Sequence, residues 1–216
     1  MPRPNPNADG ADDDIPEDVV VCPFPEISIS SVNCNSLNMS SASSNVHIRK
    51  IYGIVKLKTD IILLSDIRLC NKSGVADLTN LCNTLQINPY CSYKLIHNSR
   101  KNSRGVAILY KNSLNINIVQ EERDEDDNFL LAKVVINEHT VILGSIYGPN
   151  NSDDRFFVRL NNSLARLGNY PIVLGGDWNT TFCSGPLPTN PDVFNMAALP
   201  NPANSKSLNK LCRDLN

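Results

Sequence analysis

The stretch PIVLGGDWNTT, residues 171–181, joins an apolar run to two glycines and a group of polar residues. Its apolar run Ile172 to Leu174 predicts a buried strand, and the two glycines that follow allow the chain to turn sharply and to approach another group closely. Asp177 and Asn179 come next, two residues apart, so both side chains face the same way in an extended segment. Because open α/β sheets bind ligands at the carboxyl ends of their strands, the stretch predicts either a polar turn or a functional site.

The composition is that of one globular domain. Its 216 residues suffice for a single domain with a full core. The formal net charge is -2, but residues 1–26 hold seven acidic side chains and a second acidic cluster fills residues 121–127, which leaves a basic remainder. A basic surface suits a polyanionic partner such as nucleic acid, although ordinary surface charge explains it equally well.

The cysteines and the hydropathy bear on the compartment. Seven cysteines, an odd number with no Cys-x-x-Cys pair, predict reduced thiols in an intracellular protein and not a disulfide or zinc framework. No apolar run approaches the roughly 18 residues of a membrane-spanning helix, and the N-terminus lacks the apolar region of a signal peptide. We therefore expect no membrane contact.

The patterning of apolar residues predicts a βαβ unit followed by antiparallel strands. Residues 1–26, rich in Pro and Asp, are expected to be disordered, and residues 27–216 to form the domain. A strand at 27–35, a helix at 46–58 capped by Asn45, and an apolar strand at 61–64 give the βαβ unit. The other predicted elements are a helix at 75–85, strands near 92–97, 105–110, 114–120, 129–137 and 140–147, a helix capped by Ser152 and ended by Gly168, the strand at 172–174 and a last helix at 205–215.

Polar side chains of one kind follow four predicted strands: Asn33 and Asn35, then Asp66, then Tyr147 and Asn150, then Asp177 and Asn179. Carboxylates and amides without His or Cys suit a hard cation such as Mg²⁺, and a bound Mg²⁺ stabilises charge on a phosphoryl oxygen and its leaving group. Asp177 and Asn179 are candidates for orienting an attacking water. Tyr147 and Asn150 are candidates for holding the phosphate. Each residue singly has an ordinary structural explanation, whereas the set points to phosphoryl chemistry.

A series of motifs runs through the chain in a characteristic order: Asn33-x-Asn35, Asp66 after an apolar strand, Arg104 to Leu109, Tyr147-x-x-Asn150, and Gly176-Asp177-Trp178-Asn179. This order resembles the endonuclease/exonuclease/phosphatase superfamily over about residues 27–216. Within it, the motifs are most similar to the apurinic-type endonuclease domain of LINE-type (non-LTR) retrotransposon proteins. The resemblance implies an α/β fold, a four-layered αββα sandwich of the DNase I-like type. It also implies a Mg²⁺ cofactor, with Mn²⁺ as a substitute, and cleavage of a phosphodiester in DNA.

The resemblance further implies a role for each matched residue near the metal. Asn35 and Asp66 would bind the metal. Asp177 would align or deprotonate the attacking water, with Asn179 beside it and in contact with the phosphate. The family usually has Glu where this sequence has Asp66, so the shorter carboxylate is expected to lie nearer the metal or to bind it through water.

The remaining implied roles concern the phosphate. Tyr147 and Asn150 would contact the scissile phosphate, and Asn33 would support the site from the first strand. The family's closing Ser-Asp-His segment, whose His stabilises charge on the phosphate, finds no match in the sequence. The three histidines lie in other contexts: His47, His97 and His139.

The resemblance thus predicts a domain that is incomplete at its C-terminus. Little nuclease activity is then expected, because losing one charge-stabilising donor costs about 10²–10³ in rate. An intact element would nick chromosomal DNA in the nucleus, leave a 3′-hydroxyl, and carry a reverse-transcriptase domain in cis. Two alternatives stay open: a non-catalytic remnant, and a lipid or inositol-phosphate phosphatase of the same superfamily, which ranks lowest because that branch's signatures around the last strands are absent.

Overall fold

Two four-stranded sheets form the centre of this computed structural model, which describes residues 26–37, 44–69, 93–100, 103–180 and 202–215. The first sheet has the order β1-β2-β4-β3 and consists of β1 (Ile29–Asn33), β2 (Ile61–Ser65), β3 (Tyr93–Asn98) and β4 (Val106–Lys111). The second has the order β5-β6-β7-β8 and consists of β5 (Asn117–Arg123), β6 (Phe129–Ile136), β7 (His139–Tyr147) and β8 (Ile172–Asp177). Neighbouring strands are antiparallel except for β1–β2 and β7–β8, which are parallel.

Helices cover the outer faces of both sheets, so the layers run α-β-β-α. Helix α1 (Ser44–Lys56) connects β1 to β2 and packs on the first sheet, while α2 (Asp154–Leu167) and α3 (Pro202–Asp214) pack on the second. A third apolar cluster fills the space between the two sheets. On the outer face of the second sheet, Phe156 packs edge-on against Phe129 with 6.2 Å between ring centroids. The predicted four-layered sandwich is confirmed.

The predicted βαβ unit is also confirmed, with small shifts at the helix starts. Every residue of β2 is buried, because a strand inside a sheet covered on both faces needs apolar residues throughout. Helix α2 is capped by Asp153, whose carboxylate accepts from the N–H groups of Arg155 and Phe156 at 3.1 and 3.3 Å, so the prediction of Ser152 as cap was wrong by one residue. Helix α1 begins at Ser44, which places Asn45 inside the helix and not at its cap.

The acidic cluster at 121–127 is tied down by arginines. Asp124 and Asp127 are buried and receive Arg159 Nε and Arg100 Nε, both at 2.9 Å. Burial of a carboxylate is tolerated only when it is paired in this way. The cluster therefore fixes the β5–β6 loop and does not form a free acidic patch.

The other predicted elements lie close to the observed ones wherever the two can be compared. The strand predicted at 114–120 is preceded by a 3-10 turn at Asn112–Leu114 and runs over Asn117–Arg123. The predicted helix at 75–85 and the N-terminal tail lie outside the described residues. Within the described ranges, no helix has the length and apolar character needed to cross a bilayer.

Candidate active site

The carboxyl ends of β1, β2, β7 and β8 meet at one edge of the two packed sheets. The parallel registers place Asn33 opposite Ser65 and Tyr147 opposite Asp177. Beneath this edge the buried Ser145 hydroxyl donates to a main-chain carbonyl of β2 at 2.7 Å and joins the two sheets. The topology therefore brings the four predicted strand ends together.

The Asp177 carboxylate receives hydrogen bonds from both sheets. Asn33 Nδ2 in the first sheet donates to Asp177 Oδ2 at 2.7 Å, and the main-chain N–H of Asn179 donates to Asp177 Oδ1 at 3.0 Å. Asn33 Oδ1 in turn accepts from the main-chain N–H of Asn35 at 3.0 Å. Each carboxylate oxygen keeps a lone pair, so Asp177 is fixed in orientation and still able to accept from a water.

Close contacts between backbones lock the β7 and β8 ends together. Gly176 has φ +146°, and a Cβ there would lie 1.9 Å from the Ile146 carbonyl oxygen. The predicted close approach is confirmed, whereas the predicted sharp turn is not, since β8 continues through both glycines to Asp177. Beyond the strands, Gly148 N donates to the Asp177 carbonyl at 2.7 Å and Asn179 Nδ2 donates to the Gly148 carbonyl at 2.8 Å. Asn179 therefore holds the loop after β8 against the loop after β7.

Asp66 is the most buried carboxylate at this edge, and it forms an ion pair with an arginine. Its side chain is 4% exposed, and both its oxygens accept from Arg68: Nε to Oδ1 at 2.8 Å and a terminal nitrogen to Oδ2 at 2.7 Å. Asp66 and Arg68 both have left-handed φ values, 54° and 52°, which curl the chain so that the two side chains meet. Hydrogen bonding to Asp66 raises the pKa of Arg68 against the effect of burial, and the nearby Tyr147 hydroxyl acts in the same direction.

Asn128, which precedes β6, lies beside Tyr147. Its carbonyl accepts from the Tyr147 N–H at 2.6 Å, and its side-chain Oδ1 accepts from Arg104 at 3.0 Å. Because a guanidinium only donates, this bond fixes the amide with Nδ2 on the other side. Asn128 Nδ2 is buried and has no acceptor within the described part of the chain. Buried donors of this kind are normally satisfied, so a water or another oxygen is expected there.

Asn150 lies on an exposed loop after β7 that α3 holds in place. The buried Asn204 donates from Nδ2 to the Pro149 and Asn151 carbonyls, both at 3.2 Å, and its Oδ1 accepts from the Asp153 N–H at 3.2 Å. The carbonyls on both sides of Asn150 are therefore fixed, while its own side chain is exposed. Asn35 is likewise exposed, on the loop after β1.

The donor set at this edge fits a hard cation. Asn35, Asp66 and Asp177 offer amide and carboxylate oxygens, the ligands that Mg²⁺ takes, and Mg²⁺ usually keeps several waters and needs few protein groups. Among the described residues, no group of three or more His, Cys, Asp or Glu side chains is placed to hold a metal ion together. At Asp66 the fit also requires Arg68 to give way.

Sequence reasoning missed several residues that build the site. Arg68 carried a signal, since it follows Asp66 at a spacing of two, and Arg104 lay within a quoted motif. Asn128 and Asn204 carried none, because their importance comes from burial at loop crossings. Two of the histidines lie elsewhere in the sheets: His139 begins β7, at the end opposite Tyr147, and His97 is in β3.

Comparisons with known proteins agree with this fold. A model of the Endonuclease/Exonuclease/phosphatase family matches residues 30–207. The structure is similar to an AP endonuclease from Archaeoglobus fulgidus (16% identity, TM-score 0.54, 87% of this chain and 70% of that chain). It is similar to the 3′ phosphatase NExo from Neisseria bound to product DNA hairpin (16% identity, TM-score 0.60, 88% of this chain and 72% of that chain). It is also similar to the endonuclease domain of TRAS1, a telomere-specific non-LTR retrotransposon (11% identity, TM-score 0.55, 88% of this chain and 73% of that chain). At these identities the structural likeness shows a shared fold.

Proposed function

Because the chain belongs to the Endonuclease/Exonuclease/phosphatase family, we propose that its strand-end site hydrolyses phosphodiesters of DNA with Mg²⁺, as the endonuclease domain of a non-LTR retrotransposon. The observation that carries the proposal is the Asp177 carboxylate. It is held by Asn33 at 2.7 Å from the facing sheet and lies opposite Tyr147 in the register. An oriented carboxylate beside a phenol and exposed amides is suited to activating water against a phosphate.

Asp177 acts as the general base. Fixed by Asn33 and Asn179, its carboxylate takes a proton from a water whose oxygen bonds to phosphorus. The bond from phosphorus to the 3′ oxygen breaks, and that oxygen takes a proton from solvent, which leaves a 3′-hydroxyl and a 5′-phosphate. Holding the base rigidly avoids reorganisation during the reaction, which is a large part of what a preorganised site contributes.

The other predicted residues bind the phosphate and the cation. The Tyr147 hydroxyl and the Asn150 amide donate to the scissile phosphate. Asn35 and Asp66 would hold the cation, which when bound stabilises charge on the phosphoryl and leaving oxygens. Arg104 adds donors on the Tyr147 side of the site, and so does Asn128 Nδ2, which has no acceptor among the described residues.

DNA is the substrate that the relatives favour. The similar structures include an AP endonuclease, an enzyme with a DNA hairpin product and a retrotransposon endonuclease domain. By analogy with the last, a reverse transcriptase in cis would use the 3′-hydroxyl as a primer, and chromosomal DNA would place the protein in the nucleus.

A cleavage assay tests the proposal. The chain, in excess over an end-labelled DNA duplex, is incubated with Mg²⁺ or with EDTA, and the product ends are tested for extension by a DNA polymerase. We expect slow, Mg²⁺-dependent nicks with extendable 3′ ends. Phosphate release from inositol phosphates without DNA cleavage would favour the phosphatase alternative, and neither reaction would favour a non-catalytic remnant.

A further inference from the structure

The guanidinium of Arg68 lies against the Asp66 carboxylate, where the proposed function requires a divalent cation. Both oxygens of the Asp66 carboxylate accept from the guanidinium, at 2.7 and 2.8 Å, and the carboxylate is 4% exposed. Arg68 is 38% exposed, so its side chain has room to move toward solvent. A buried carboxylate needs a countercharge, and here the chain supplies its own.

We propose that Arg68 is an internal competitor for the cation: it neutralises Asp66 in the metal-free protein, leaves when a divalent cation binds, and then contacts the DNA phosphate beside Tyr147. This inference rests on the proposed function, because it needs a cation at Asp66. It assigns Arg68 a positioning and phosphate-binding role that the motif match does not give it.

The geometry supports the exchange. A guanidinium that donates to both oxygens fills the fork of the carboxylate, and a cation in the same fork would lie at van der Waals distance from a second positive charge. The two cations therefore bind Asp66 in alternation. Arg68 lies on the Tyr147 side of the site, because its main-chain N–H donates to the Arg104 carbonyl at 2.7 Å. Arg104 in turn donates to Asn128, whose carbonyl accepts from the Tyr147 N–H. Arginine suits the second position as well, since its planar fork matches a phosphate.

A consequence of this exchange is coupling between metal and DNA. Binding of the cation releases an arginine for the phosphate, so each ligand is expected to strengthen the other. Without Arg68, the cation should bind more tightly and the DNA should gain less from it. A structural role for the ion pair alone predicts neither effect.

The test is a Mn²⁺ titration of the full chain, followed by the electron paramagnetic resonance signal of free Mn²⁺. The Arg68→Met variant keeps the aliphatic length and removes the charge, and Arg68→Lys keeps the charge without the fork. Asp66→Asn and the double variant with Arg68→Met complete a thermodynamic cycle. Arg100→Met is the matched control, because Arg100 pairs with a buried carboxylate, that of Asp127, in the β5–β6 loop.

We expect Arg68→Met to tighten Mn²⁺ binding by about tenfold or more, the order expected for removing hydrogen bonds to a charged group. Arg68→Lys should tighten it less, and Arg100→Met should leave it unchanged. If Arg68→Met does not fold, as judged by circular dichroism, Arg68→Lys decides. In the Asp66→Asn background, Arg68→Met should have no effect on Mn²⁺ affinity.

The second measurement is the affinity for a phosphorothioate DNA duplex, which resists cleavage, with and without Mn²⁺. The wild-type protein should gain more affinity from Mn²⁺ than Arg68→Met does. Unchanged or weaker Mn²⁺ binding by both Arg68 variants, with binding lost in Asp66→Asn, would overturn the competition and leave the metal site standing. Mn²⁺ binding that Asp66→Asn does not alter would instead overturn the metal assignment of the proposed function.

Discussion

Replacing Gly176 by Ala tests how tightly the β7 and β8 ends are joined beneath Asp177. The φ of +146° is strained for any residue with a Cβ, and such strain costs about 1–3 kcal/mol. The new Cβ would lie 1.9 Å from the Ile146 carbonyl oxygen, a backbone atom, so β8 must shift away from β7. Losing one ladder hydrogen bond adds about 0.5–1.5 kcal/mol. We expect a total loss of about 1.5–4.5 kcal/mol in the free energy of unfolding.

Urea unfolding at equilibrium measures this loss. With a slope of about 2 kcal/mol per molar urea, the midpoint should fall by about 1–2 M. Gly53→Ala is the matched control, because Gly53 lies within α1 and an added Cβ meets nothing within 4 Å. That variant should be stabilised by about 0.5–1 kcal/mol, since Ala is the better helix former. A Gly176→Ala midpoint within about 0.3 M of wild type would show that the β7 and β8 ends are not tightly joined at this position.

Three further predictions follow from the same structure. Asp66→Ala should weaken Mg²⁺ binding and Asp66→Glu should keep or improve it, by isothermal titration calorimetry; equal affinity for wild type and Asp66→Ala would make Asp66 only a turn residue. Hydrogen bonding from Arg166 lowers the pKa of Glu122, and although burial acts to raise the pKa of Asp60, hydrogen bonds from Lys111 and Ser28 lower it. These carboxylates therefore stabilise the fold when the pH is above their unfolded pKa values, so the melting temperature should fall as the pH drops from about 5 to 3. An unchanged melting temperature would count against both ion pairs. Among the described residues, β8 is the outermost strand of its sheet and its apolar side chains are half-buried. The chain should therefore self-associate with rising concentration in analytical ultracentrifugation. A monomer at all concentrations would contradict an open edge.

The sequence predicts the architecture well because the apolar patterns are local. The run at 61–64 is typical of a covered strand, and the pattern ending at Gly168 predicts α2. The error at 175–176 has a tertiary cause. β8 runs through both glycines, and they are needed there because Leu63 of the facing sheet and the Ile146 backbone leave no room for a Cβ.

The site is predictable in its positions but not in its internal contacts. Strand ends that carry Asn33 and Asp177 are visible in the sequence, and parallel pairing then brings them to one edge. The pairing of Arg68 with Asp66 depends on left-handed φ values at both residues, on either side of Ile67, where no glycine signals them. The orphan amide of Asn128 depends on Arg104 reaching it across a loop, which no local pattern encodes.

The most direct test of the central claim is plasmid nicking by wild type and Asp177→Asn. Supercoiled DNA is incubated for hours with excess protein in Mg²⁺, with EDTA as the metal-free control and Glu138→Gln as a charge-matched control at the opposite end of β7. We expect slow relaxation by wild type and Glu138→Gln and none in EDTA. Asp177→Asn should react at least 10²-fold more slowly, about the loss expected for a catalytic base. Relaxation by Asp177→Asn at the wild-type rate, or cleavage that EDTA does not stop, would contradict the proposed function.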